Sequence, residues 1–210
     1  MSESSDAGPC WDIQQARNLY NIQRWGAGYF DINEAGHVIA KPQRDDGASV
    51  DLTDVIEEAR ARGLRFPVLV RFQDILRHRV EHINKAFRNA IAEFDYKGQY
   101  QGVFPIKVNQ LREVVEEILD AGKPYHFGIE VGSKPELFAG LALQSEVGDL
   151  IVCNGYKDEE FIDLGLYAVR MGFKCFFVLE MPGELDLILE RAALLNVRPI
   201  IGVRAKLSVK

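Results

Sequence analysis

The chain has 210 residues, of which 47% are hydrophobic, and a formal net charge of −6. This length suffices for one substantial domain, or for one domain and part of another. The mild acidity offers no electrostatic footprint for nucleic acid or an anionic membrane, and no run approaches the roughly 18 apolar residues of a membrane span. The N-terminus also lacks the basic and apolar regions of a secretory signal. We therefore expect a cytoplasmic protein with no nucleic-acid or membrane partner.

The first 98 residues predict a flexible tail followed by a mixed β/α segment that covers 17–98. Aromatic and β-branched residues flank the turn sequence between Asn33 and Gly36, which is typical of a small β unit. In chain order, we predict a tail (1–16), a β unit (19–41), a loop (42–49), a helix (51–62), a strand (66–72) and a helix (about 74–94).

Strands and helices alternate regularly from residue 99 onward. The predicted strands are 102–108, 126–132, 149–155, 174–180 and 198–205, and the helices between them are 111–122, 134–144, 158–172 and 183–196. The strands are apolar and the helices amphipathic, as in a parallel sheet covered by helices. We interpret 99–210 as five successive βα units.

Two architectures fit this alternation, a doubly wound sheet and an eightfold barrel. A dinucleotide-binding sheet should carry GxGxxG in its first strand-to-helix turn, where this chain has KVNQL. A barrel collects functional residues at the C-terminal ends of its strands. Each strand here has polar residues late in its sequence: Lys107 and Asn109, Glu130 and Ser133, Asn154, Glu180, and Arg204. We predict the α/β class and a partial (β/α)8 TIM barrel, the N-terminal piece of a longer protein.

Lys107 lies at the end of the apolar strand GVFPIKV. Moving a lysine out of water favours its neutral amine, and a neutral amine is the form that condenses with an aldehyde. The alternative is a lysine whose ammonium group simply reaches water at the end of the strand. The pattern alone leaves both interpretations open.

Several longer blocks carry a family resemblance. The sequences YQGVFPIKVNQ, HFGIEVGSKPEL, LIVCNGYKD and GVRAKL resemble biosynthetic arginine decarboxylases, enzymes of the alanine-racemase-like barrel type that use pyridoxal 5'-phosphate (PLP). The resemblance runs from WGAGYF (25–30) to the last residue. It implies conversion of L-arginine to agmatine and CO2, a homo-oligomer at full length, magnesium as a further cofactor, and a second β domain that the strands in 17–98 would join.

The resemblance also implies roles for individual residues. Lys107 would bind PLP covalently, and Glu130 would lie beside the cofactor. Arg204 would lie near the pyridine ring, while Asn154 and Glu180 would line the mouth of the barrel. The phosphate loop, the partner of the pyridinium nitrogen and the residues that recognise the substrate are expected beyond Lys210. The 210-residue chain alone is therefore expected to be inactive.

Other hypotheses stay open at this point. The chemistry would also suit a decarboxylase of ornithine, lysine or diaminopimelate, or a PLP-binding barrel protein without decarboxylase activity. His78, Glu81 and His82 form an HxxEH pattern that could indicate a zinc hydrolase, but the two histidines fall on the polar side of their helix. We predict no metal site there.

Smaller features have local explanations. Ser133 and Glu136 predict a helix-capping box, and Lys157 to Glu160 predict a charged surface at a helix start. Cys10, Cys153 and Cys175 form no CxxC pair, and the last two lie in apolar strands, which indicates buried free thiols in a reducing compartment.

Overall fold

The computed structural model describes residues 11–144 and 147–205. The chain divides into two compact units, one up to His78 and the other from Arg79 onward. This division falls earlier than the predicted start of the barrel units at residue 99. Among the described residues, no helix combines the length and apolar character that a membrane crossing requires.

The first unit is a small three-stranded antiparallel sheet with flanking helices, in the strand order β1-β2-β3. Its elements are α1 (Ile13–Tyr20), α2 (Ile22–Gly26), β1 (Phe30–Ile32), β2 (Val38–Ala40), β3 (Val50–Asp51) and α3 (Leu52–Ala61). The predicted turn joins β1 to β2, because the side chain of Asn33 accepts hydrogen bonds from the backbone N–H groups of Ala35 and His37. The helix predicted at 51–62 is α3, and Asp51 caps its N-terminus.

Two predictions for the start of this unit are wrong. Residues 13–16 belong to α1 instead of a flexible tail, because Asp12 and Gln15 form a reciprocal capping box that starts the helix. Residues 22–26 form α2, so the β structure occupies only the later part of 19–41. Residues 1–10, which include Cys10 and most of the predicted tail, lie outside the described residues.

The strand predicted at 66–72 is absent. The segment has no regular secondary structure, and Phe66, Leu69 and Val70 are 47%, 76% and 41% exposed. A β-strand needs hydrogen-bonded neighbours, and none of the described strands pairs with this segment. The helix predicted to follow it is present as α4 (Gln73–Glu93).

The second unit contains the predicted βα alternation. Its elements are β4 (Val103–Pro105), α5 (Arg112–Gly122), β5 (Gly128–Val131), α6 (Lys134–Leu143), β6 (Leu150–Cys153), α7 (Glu159–Arg170), β7 (Lys174–Leu179), α8 (Gly183–Leu195) and β8 (Ile200–Val203). The five strands form one parallel sheet in the order β4-β5-β6-β7-β8. A doubly wound sheet reverses its strand order at a switch point, whereas each crossover here moves one strand further in the same direction. This winding confirms the prediction of a partial barrel.

The core of this unit lies between the sheet and its helices. Ile151 and Phe177 of the sheet and Leu166 of α7 are fully buried. The thiols of Cys153 and Cys175 are buried in the same core, 3.8 Å apart and not bonded as a disulfide. The contact with Cys175 and burial raise the pKa of the Cys153 thiol well above its ordinary value. These two cysteines are the buried free thiols that the sequence predicted.

Candidate cofactor site at the C-terminal ends of the strands

The predicted site residues lie at one edge of the parallel sheet. Lys107 follows β4 in a short 3-10 turn, and Glu130 lies near the end of β5. Asn154, Glu180 and Arg204 directly follow β6, β7 and β8. Because parallel strands end at the same side of a sheet, the fold brings side chains from distant parts of the sequence to one face.

Lys107, Glu130 and Asn154 form the first group in the site. The Nζ atom of Lys107 lies 3.6 Å from Oε1 of Glu130, and the side-chain amide of Asn154 donates to the same oxygen at 2.9 Å. Glu130 is only 5% exposed, whereas the side chain of Lys107 is 63% exposed. The carboxylate is therefore held in place, and the amine reaches solvent where a soluble aldehyde can approach it.

Glu180 and Arg204 form the second group. The guanidinium of Arg204 donates to Oε1 of Glu180 at 2.7 Å, and the backbone N–H of Gly155 donates to the same oxygen at 3.2 Å. The hydrogen bond from Arg204 is the main reason that the pKa of Glu180 lies below its ordinary value, and burial only partly opposes it. The ionised Glu180 thus orients a guanidinium that stays 63% exposed.

One short loop connects the two groups. Asn154 and Gly155 are consecutive residues after β6, and the first contacts Glu130 while the second contacts Glu180. The sequence predicted all five side chains of the two groups at the ends of strands. It did not predict that the neighbouring residues Asn154 and Gly155 would each bind a different carboxylate, Glu130 and Glu180.

The prediction of a charged surface at Lys157 is wrong. The side chain of Lys157 is 0% exposed and forms an ion pair with Glu184 at 3.3 Å. The helix does start here, with Asp158 as its cap, since the Asp158 carboxylate accepts from the N–H of Phe161. A lysine followed by three acidic residues resembles a solvated helix start, and no local feature of the sequence distinguishes this buried lysine from an exposed one.

Ser133 caps α6 as predicted. Its hydroxyl accepts from the N–H of Glu136 at 3.4 Å, and the carboxylate of Glu136 accepts from the N–H of Gly132 at 2.7 Å. The return bond therefore reaches one residue before the cap, a variation on the predicted capping box.

The histidine pattern on α4 has a structural use in the first unit. Nδ1 of His78 lies 2.7 Å from the hydroxyl of Tyr29, within hydrogen-bond distance. Across residues 11–144 and 147–205, no group of three or more His, Cys, Asp or Glu side chains is arranged to hold a metal ion.

A methyl group at Gly155 would collide with the backbone of this site. Gly155 has a φ of +73°, and a Cβ there would lie 2.4 Å from the carbonyl oxygen of Gly132. Gly148 has a φ of +94° but open space around its would-be Cβ, so it is a matched control. We expect Gly148→Ala to lower the free energy of unfolding by about 1–2 kcal/mol through backbone strain. Gly155→Ala should lower it by roughly a further 1–3 kcal/mol through the clash.

Urea denaturation of the intact protein measures both changes. Equal losses for the two variants would show that the Gly132 backbone moves aside freely and that the loop is not tightly held.

The residues of this site suit PLP by their chemistry. An accessible primary amine can react with the aldehyde, and Glu130 lies beside that amine. Arg204 offers a permanently charged, planar donor to a ring or oxyanion. These are the features that the family resemblance requires of the three residues.

Residues 80–210 match the family described as pyridoxal-dependent decarboxylase, pyridoxal binding domain. This match covers more than half of the chain, and the chain belongs to this family.

Curated relatives and a solved structure are similar to nearly all of the chain. The biosynthetic arginine decarboxylase of Gloeobacter violaceus is 47% identical over 200 residues, which cover 95% of this chain and 31% of the relative. The biosynthetic arginine decarboxylase of Phocaeicola vulgatus is 50% identical over 198 residues, which cover 94% of this chain and 31% of the relative. The crystal structure of the biosynthetic arginine decarboxylase SpeA from Campylobacter jejuni aligns with a TM-score of 0.77 and 33% identity, covering 88% of this chain and 30% of that one. The chain thus spans just under a third of the length of these proteins.

Proposed function

We propose that this chain forms the cofactor-binding part of an arginine decarboxylase, which converts L-arginine to agmatine and CO2. The observation that carries the proposal is the identity of 47% and 50%, over nearly the whole chain, to relatives of that name. The accessible amine of Lys107 beside Glu130 supports it, because this pair offers the chemistry that a PLP enzyme needs.

Lys107 is the residue that binds the cofactor covalently in this proposal. PLP, when bound, supplies the electron sink that allows the bond between Cα and the carboxylate to break with loss of CO2. When Lys107 is not attached to the cofactor, its amine lies 3.6 Å from the carboxylate of Glu130, which can hold it in place. Asn154 orients Glu130 by donating to its Oε1 atom.

Arg204 positions the cofactor in this proposal. Its guanidinium keeps its charge throughout, so it can orient a ring or an oxyanion without exchanging a proton. Glu180 holds one side of the guanidinium by the 2.7 Å hydrogen bond, which leaves the other nitrogen atoms for the cofactor.

Substrate choice separates this proposal from its nearest alternatives. We expect a full-length protein that contains this segment to show a kcat/KM for L-arginine at least about a hundredfold above that for ornithine, lysine or diaminopimelate, because sites built to bind a polar group reject analogues that lack it. Agmatine and CO2 are measured after reconstitution with PLP, and a sample without PLP is the control.

Each alternative has its own outcome in this experiment. A preference for one of the other three amino acids would identify a related decarboxylase. PLP binding without CO2 release from any substrate would favour a PLP-binding protein that is not a decarboxylase.

We also propose, from the family resemblance, that the full-length enzyme is a cytoplasmic homo-oligomer. The family resemblance is also the only support for magnesium as a further cofactor, which stays a prediction. Sedimentation of the full-length protein tests the oligomeric state, and its activity after treatment with a chelator tests the need for magnesium.

A further inference from the structure

Lys157 is a buried lysine that the proposed chemistry does not use. Its ammonium group donates to the carbonyl oxygens of Gly155, at 2.7 Å, and of Val178. It also contacts Oε2 of Glu184 at 3.3 Å. The side chain has no exposed surface, so it cannot touch a cofactor or substrate in this structure. Its three contacts satisfy the donors of an ammonium group, which explains how a charge is tolerated there.

Glu184 connects Lys157 to the loop after β7. Its carboxylate accepts from the backbone N–H of Lys157 at 2.9 Å and from the backbone N–H of Glu180 at 2.8 Å. Burial acts to raise the pKa of Glu184, but these two backbone donors and the ammonium group outweigh it and lower the pKa. Glu184 is therefore a carboxylate that fixes the backbone of Glu180.

The same lysine also fixes the side chain of Glu180. Lys157 binds the carbonyl of Gly155, and the N–H of Gly155 donates to Oε1 of Glu180. Glu180 is thus held at its backbone through Glu184 and at its carboxylate through Gly155. That carboxylate is the group that orients Arg204.

We propose that Lys157 is a positioning residue, which sets the place of Arg204 at the cofactor site by holding Glu180 from both ends. This inference rests on the role proposed for Arg204. The competing explanation is an ion pair that only stabilises the fold. Buried ion pairs can often be replaced by apolar residues of similar size without loss of stability, which allows the two explanations to be separated.

The main test uses a variant that removes both charges, Lys157→Met with Glu184→Leu, in a full-length protein that contains this segment. Removing Lys157 alone would leave Glu184 charged and unpaired, and the protein could fail to fold for that reason. PLP is titrated into the apoprotein, and its dissociation constant and absorbance maximum are measured with and without Arg204→Lys.

We expect the two sites to be coupled. In the otherwise wild-type protein, Arg204→Lys should raise the PLP dissociation constant about tenfold, and in the double variant by less than about twofold, a difference within the range of measured coupling energies. The absorbance maximum of bound PLP should shift in the double variant as it does in Arg204→Lys. Equal factors in both backgrounds would overturn the proposal.

A second variant keeps the test decisive if the double variant unfolds. Glu180→Gln leaves Lys157 in place but removes the charge that faces Arg204. In the Glu180→Gln protein, Arg204→Lys should again raise the PLP dissociation constant by less than about twofold. If Arg204→Lys keeps its full wild-type effect in that protein, the proposal is also overturned.

Lys134 provides the matched control. It pairs with Asp158 and Glu160, each at 2.7 Å, but its side chain is 35% exposed. Lys134→Met should leave the effect of Arg204→Lys unchanged. An effect of Arg204→Lys that is reduced in this control as much as in the double variant would mean that any nearby lysine has the same influence, and would contradict a specific role for Lys157.

These measurements need no substrate. Coupling together with a failure to decarboxylate L-arginine would uphold the role of Lys157 and contradict the proposed activity. Decarboxylation of L-arginine with no coupling would do the reverse.

Discussion

Replacing Lys107 with alanine is expected to lower kcat at least about a thousandfold in a full-length protein that contains this segment, because the amine proposed to bind the cofactor is lost. The fold should tolerate the change, since the side chain of Lys107 is 63% exposed and Asn154 still donates to the buried carboxylate of Glu130. Decarboxylation of L-arginine and the free energy of unfolding are measured on the same preparation. The loss should therefore appear in kcat without a matching loss of stability.

Borohydride reduction with bound PLP, followed by peptide mapping, tests the same assignment without substrate. The label should be found at Lys107. Lys123→Ala is a suitable control, because Lys123 is also exposed and also pairs with a carboxylate, that of Asp120 at 3.1 Å. A label at Lys123, at Lys134 or at Lys206, which lies outside the described residues, would contradict the assignment.

The 210-residue chain by itself is expected to release CO2 from L-arginine at least about a thousandfold more slowly than a full-length protein that contains it, because residues expected elsewhere in the barrel complete the site. The described sheet is open, with β4 and β8 at its edges. A closed barrel would pair these edges, and unpaired strand edges favour association with other chains. Val203 on β8 is 77% exposed, which adds an apolar surface to that edge.

The two chains are compared for agmatine and CO2 at saturating PLP. Circular dichroism and borohydride labelling of the short chain are the controls, since they report whether it folds and whether Lys107 still reacts. Turnover within about tenfold of the full-length protein would show that the site is complete in this chain and would contradict the expectation.

Local patterns in the sequence determined much of the second unit. The apolar strands and amphipathic helices from residue 99 onward predicted a parallel sheet, since each such element buries one face or stripe against the next. The polar residues at strand ends predicted that Lys107, Glu130, Asn154 and Arg204 would share one edge. The cap at Ser133 was also visible, because a cap depends on residues three positions apart.

The errors in the first unit have a different origin. The segment 66–72 has strand-like composition, but a strand is stable only when another strand pairs with it, and none of the described strands does so. The polar composition of this stretch suggested a tail, but a helix begins at Ile13. The reciprocal hydrogen bonds between Asp12 and Gln15 cap its N-terminus and so favour the helix.

The tertiary structure alone decided the environment of each charged side chain in the site. Lys107 follows β4 and Glu130 lies on β5, and their 3.6 Å approach follows from the parallel pairing of these two strands. Lys157 is buried because the carbonyl of Val178 and the carboxylate of Glu184, both distant in sequence, surround its ammonium group. Periodicity and caps depend on neighbours within one turn or one strand, so the sequence could determine them by itself. Burial and charge pairing depend on residues that only the folded sheet brings together, and so only the structure could decide them.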